Sequence, residues 1–225
     1  MFIGHYGVAL AAKRVAPRTS LGALFVAVQF LDVVFGLFVL AGIEKLRIVP
    51  GFTKMMPYDL YFMPYSHSLS GAVLWAALAA LGFGLIATSE TEKKARVAAA
   101  LVFGAAVLSH FLLDLPVHPA DLPLGFDPSS PKLGLGLWDQ VDVSLALELS
   151  LLVAGGALYA GMTAARPDKA TISVIVGALL VGLTLATPFL PIPPDSTVFA
   201  VESLGSYVAL ALFGEWMDRT RAPVE

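Results

Sequence analysis

The chain has 225 residues, 57% of them hydrophobic and 14% charged, with a mean hydropathy of +0.80. A soluble domain carries roughly a quarter of its residues charged, so this composition excludes an ordinary soluble globule and predicts an integral membrane protein. The absence of cysteine excludes disulfides, thiolate metal sites and cysteine nucleophiles, and the net charge of −3 says less than the places where the charges fall.

Residues 2–12 are apolar but too few to cross a bilayer, and Gly4, His5, Tyr6 and Gly7 interrupt them. They read as a short helix that dips into the membrane or packs against a bundle. Basic residues follow this stretch at Lys13 and Arg14 instead of preceding it, the reverse of a cleavable signal peptide, so the segment is expected to be retained. Residues 20–43 are long enough to span, with Gln29 and Asp32 near the middle. A polar and aromatic loop is expected over 44–65, broken by Pro50, Pro57 and Pro64, with Phe52, Tyr58, Tyr61, Phe62 and Tyr65 suited to a membrane interface.

The second span covers 66–88, entered through Ser66-His67-Ser68, and a charged turn over 89–96 leads to the third span at 97–115. Residues 116–142 carry five prolines, at 116, 119, 123, 128 and 131, so an irregular loop is expected there. His118, beside Pro119, reads as a loop residue or a solvated one. The fourth span is 143–165 with Glu148 inside it. A turn over 166–169 leads to an uncharged fifth span at 170–190. After a proline-rich turn, the sixth span runs over 197–216 with Glu202 near its start, and a polar tail covers 218–225. The reading is an all-α, polytopic helical bundle of about six transmembrane helices plus an N-terminal half-helix, forming one domain over 1–225.

Basic residues favour cytoplasmic loops. Lys13, Arg14, Arg18, Lys93, Lys94, Arg96, Arg166, Lys169, Arg219 and Arg221 fall on one side of a six-span arrangement, and Lys45, Arg47, Lys54 and Lys132 on the other. The first side is expected to be cytoplasmic, in an inner or plasma membrane, with the basic N-terminal segment and the C-terminus on that side. The loops 44–65 and 116–142 then face outward.

His110 and Asp114 lie four residues apart in an apolar stretch, so a helix stacks them on one face. Such a pair can share a metal ion or a proton, and it can equally be one buried hydrogen bond pinning two helices. Counted along their spans, Asp32, His67, His110, Asp114, Glu148 and Glu202 all fall between the midplane and the outer surface. One polar cavity opening outward explains that bias. His5, Asp32, His67, His110 and Asp114 form a nitrogen and oxygen ligand set suited to zinc, manganese or iron. Ser66, Glu148 and Glu202 are candidates to support them from behind.

The order Gly4-His5, Asp32, Ser66-His67-Ser68 and His110-x-x-x-Asp114 resembles the membrane-bound metal-dependent hydrolase family. Its ligand pattern is similar to that of zinc-dependent phospholipase C and the single-strand-specific nucleases. The resemblance covers the first half of the chain, to about Asp121. It departs from the family's pattern in the single acid of Phe30-Leu31-Asp32-Val33, in Met63-Pro64-Tyr65 before Ser66, and in the missing threonine after Asp114. It implies hydrolysis of a phosphoester in a lipid or lipid-linked substrate, with a divalent metal, zinc first. His110 and Asp114 would be its catalytic pair. An ion- or proton-coupled transporter and a scaffold with a structural metal or polar cluster are the alternatives. Nothing in the sequence predicts a nucleic-acid partner.

Overall fold

In the computed structural model, which describes residues 1–87, 92–166 and 169–223, 65% of the chain is helical. Part of the charged turn expected over 89–96 (residues 89–91) and part of the 166–169 turn (residues 167 and 168) lie outside the described residues. The helices are α1 (Gly4–Ala12), α2 (Leu21–Val28), α3 (Phe30–Leu40), α4 (Leu69–Ile86), α5 (Lys93–Val117), α6 (Val141–Met162), α7 (Ala170–Ala186) and α8 (Ser196–Arg219). Among the described residues, α4, α5, α6, α8 and α7 with its 3-10 extension to Phe189 are long and apolar enough to cross a membrane. A sixth crossing is possible if α2 and α3 count as one broken span.

That break corrects the reading of 20–43 as one continuous span. The two helices meet at Gln29 with a bend of 58°. Side chains inserted into the helix ladder are a sufficient cause. Gln29 Nε2 donates to Phe2 O at 3.1 Å, and Val28 O is engaged by His110 Nδ1 at 2.7 Å. In an unbroken helix that carbonyl would belong to the Asp32 N–H.

The half-helix expected at the N-terminus is α1, and it is buried on nearly every side. It lies directly on α6, backbone to backbone. A Cβ on Gly7 would fall 2.3 Å from Leu151 O, and one on Gly155 would fall 1.9 Å from Gly7 O. Only glycine allows that approach. Glu148, on the same face of α6, accepts the backbone N–H groups of Phe2 and Gly4 at 3.3 and 3.0 Å. It satisfies donors that the first helical turn leaves open.

The loop expected over 44–65 contains an antiparallel hairpin, β1 (Lys45–Ile48) with β2 (Tyr58–Phe62), closed by Arg47 over Asp59. Alternation turns Leu46 and Leu60 inward. The region 116–142 is also more ordered than its prolines suggest. Helix α5 continues through Pro116 to Val117. Then β3 (Leu122–Pro123) pairs with β4 (Lys132–Leu133), and a 3-10 turn at Leu137–Asp139 leads into α6. At the opposite end, Lys13 Nζ lies 2.6 Å from Asp218 Oδ2, and Tyr159 OH donates to Asp218 Oδ1, joining α1, α6 and α8. There β5 (Thr163–Ala165) pairs with β6 (Arg221–Pro223).

Candidate metal centre

Four segments deliver five polar side chains to one point inside the bundle. The first turn of α1 brings His5, and the first turn of α3, redirected by the bend, brings Asp32. The turn before α4 brings His67, and the last two turns of α5 bring His110 and Asp114. All five residues singled out as ligands in the sequence therefore meet. His5 stacks on His110 with ring centroids 4.0 Å apart and planes within 7°.

Asp114 is the hub. Its Oδ1 lies 3.2 Å from His5 Nε2 and accepts from the Met1 α-amino nitrogen at 2.6 Å. Its Oδ2 lies 3.1 Å from His110 Nε2, 3.6 Å from His118 Nε2 and 3.9 Å from His67 Nε2. Asp32 Oδ1 lies 3.2 Å from His67 Nε2 and 3.5 Å from His110 Nε2, while Asp32 Oδ2 accepts from Tyr207 OH at 3.1 Å. Two overlapping groups, His5 with His110 and Asp114, and Asp32 with His67 and His110, each bring ligand atoms within 4.8 Å of one another.

His118 belongs to this centre, contrary to its reading as a loop or solvated residue. It is 3% exposed and under the Trp138 ring, at 4.1 Å between centroids. The signal was in the sequence: residues 110, 114 and 118 repeat at four-residue spacing on one helical face. Pro116 concealed it by suggesting that the helix had ended. The loop is pinned over His118 at Gly134, whose φ is +147° and whose Cβ would fall 1.9 Å from Pro119 O.

In His110, His118 and His67 the other ring nitrogen meets an oxygen. His110 Nδ1 donates to Val28 O at 2.7 Å, and His118 Nδ1 donates to Asp121 Oδ1 at 3.0 Å. Ser66 Oγ gives its proton to Glu44 Oε2, so at 2.8 Å it accepts from His67 Nδ1. Three imidazoles thus turn their Nε2 atoms toward carboxylate oxygens. His110 Nε2 and His5 Nδ1 are buried without a hydrogen-bond partner among the described residues. Each contact between Nε2 and a carboxylate oxygen is held either by a proton on Nε2 or by a cation that the two atoms share. The donor set fits a divalent ion, and each orienting oxygen supports a histidine as outer partners of metal ligands do.

Of the expected supporting residues, Ser66 connects His67 to Glu44. Glu148 holds the start of α1, and with it His5. Glu202 lies farther off, exposed on the wall of a cavity of about 800 Å³. Asp32, His67, Asp114 and His118 line that cavity, and His5 and His110 close the centre from behind. At the cavity wall, burial pushes the Tyr58 phenol above its ordinary value, and the Glu202 carboxylate adds to the shift. Glu44, Asp121 and Tyr207 were not foreseen. They act through contacts far along the chain or around a turn, with no spacing that marks them.

No family model, curated protein or solved structure matches the chain.

Proposed function

We propose that the protein is a membrane-embedded, metal-dependent hydrolase of a phosphoester in a lipid or lipid-linked substrate. The observation that carries this reading is the set of three histidines, each oriented at Nδ1 by an oxygen, with Nε2 converging on Asp32 and Asp114. Nitrogen and oxygen donors without thiolate favour zinc. His5, His67, His110, His118, Asp32 and Asp114 would hold the metal. A divalent ion there supplies Lewis acidity, polarising a phosphoryl oxygen and acidifying water.

The chain's own residues divide the remaining work. Asp114 is 1% exposed and contacted on both oxygens, which suits it to hold charge in place. Asp32 opens to the cavity and is steadied by Tyr207 OH, which suits it to take the proton of an attacking water. Trp138 and Phe35 cover the rings of His118 and His67 and keep bulk water from them. The ten-to-four partition of basic residues supports an orientation with this centre toward the extracytoplasmic face of an inner or plasma membrane, and the C-terminus in the cytoplasm.

The test is metal content and hydrolysis of bis(p-nitrophenyl) phosphate by protein purified from membranes. His110→Ala and Asp114→Ala should each remove the bound zinc and lower hydrolysis by at least about 100-fold while the protein still inserts. Glu215→Ala, on the exposed Arg219 pair at the opposite end, should change neither. Variants that keep zinc and hydrolysis and lose only thermal stability would overturn the proposal in favour of a structural polar cluster.

A further inference from the structure

The cavity beside the metal centre is much larger than a phosphoester head requires. At about 800 Å³ it is near the upper end of small-molecule sites, which run to about 1,000 Å³. Its two ends differ in chemistry. One is the Asp32, His67, Asp114 and His118 cluster, and the other is an apolar crevice between α7 and α8, walled by Leu179, Leu183, Leu190, Ile192, Leu210 and Phe213.

Three of these wall residues are also surface residues: Leu190 is 49%, Ile192 48% and Phe213 38% exposed. Leu190 and Ile192 stand in the turn after α7, whereas Phe213 and the exposed Ala209 stand on α8, so the crevice also opens sideways, through the face that α8 turns toward hydrocarbon. Along α8 the lining runs from Phe199 to Phe213, about 21 Å at 1.5 Å per residue. A single leaflet's hydrocarbon is about 15 Å deep, half of the usual 30 Å. A water-soluble phosphoester would leave that apolar length unfilled.

We infer that the substrate is a long-chain amphiphile whose hydrocarbon chain lies in the α7–α8 crevice, entering laterally from the bilayer, with its phosphoester head at the cluster. The assignment of the head rests on the hydrolase reading above, and the assignment of the chain rests on the cavity alone. Ala209 lines the crevice from an exposed position on α8, and Leu183 faces it from α7, so either can be enlarged without touching the cluster.

The experiment is photolabelling of the protein in nanodiscs by hexadecyl phosphate carrying a terminal diazirine, with labelled peptides read by mass spectrometry and bound zinc measured on the same sample. Label should concentrate on residues 179–192 and 206–213. Unlabelled hexadecyl phosphate should chase it, and butyl phosphate should not. Ala209→Trp and Leu183→Trp should each lower crevice labelling at least about tenfold, as expected when a packed apolar slot is filled, with zinc retained. Zinc retained with label spread over the outward face of α4, around Leu81 and Leu85, would overturn the chain assignment and leave the metal reading standing. Absent zinc with label still confined to the crevice would uphold the chain assignment and overturn the hydrolase reading.

Discussion

The Ser66 hydroxyl does two things at once, accepting a hydrogen bond from His67 Nδ1 and donating one to Glu44. That fixes which nitrogen of His67 faces Asp32, although Ser66 touches no ligand oxygen in the cluster. Partners of this kind typically change metal affinity by about 10–100-fold. Ser66→Ala should weaken zinc binding within that range, measured by competition with a chromogenic chelator, and Ser66→Thr should restore most of it. The Ser66-His67-Ser68 triplet was visible in the sequence, but Glu44 was not. It is 22 residues away and reaches Ser66 only because the β1–β2 hairpin folds back.

Among the elements, α1 is held by shape more than by propensity. Nine residues make a marginal helix in isolation, so its place depends on the glycine contact with α6 and on Glu148 beneath its first turn. Gly155→Leu drives a side chain into the Gly7 backbone, at the severe end of overpacking, about 3 kcal/mol or more. It should lower the thermal midpoint and also reduce bound zinc, because α1 carries His5. Gly156, one residue on, has nothing within 4 Å, so Gly156→Leu should cost less than about 1 kcal/mol and keep the metal. Equal losses from both variants would mean that the α1–α6 contact is not what positions His5. The bend between α2 and α3 works in the same way, since it releases Val28 O to His110 and aims Asp32 at the cavity.

For the whole molecule, the distribution of basic residues makes a prediction about direction. Reporter fusions after Glu92 and after Ser129 should give opposite signals, with Glu92 cytoplasmic and Ser129 outside. Ser129 is suited to a fusion because it lies on an exposed turn, where it bonds to Asp127. Matching signals would overturn both the orientation and the extracytoplasmic placement of the centre. The spans themselves follow from runs of apolar residues, and four of the five long helices begin and end within a few residues of the expected bounds. Helix α7 differs only in ending as a 3-10 turn around Pro188.

The sequence by itself determined the helical bundle, the half-helix and five members of the cluster, because hydropathy and four-residue spacing are local properties that one chain can display. Tertiary structure alone decided that the first span breaks at Gln29 and that α5 carries His118 past Pro116 into the site. It also decided that Glu44, Asp121 and Tyr207 stand behind the His–Asp cluster. Each of these depends on a contact with a group distant in sequence or around a turn, and at Val28 that group takes a hydrogen bond that a continuous helix would keep. Such an exchange becomes visible only when both partners are in place.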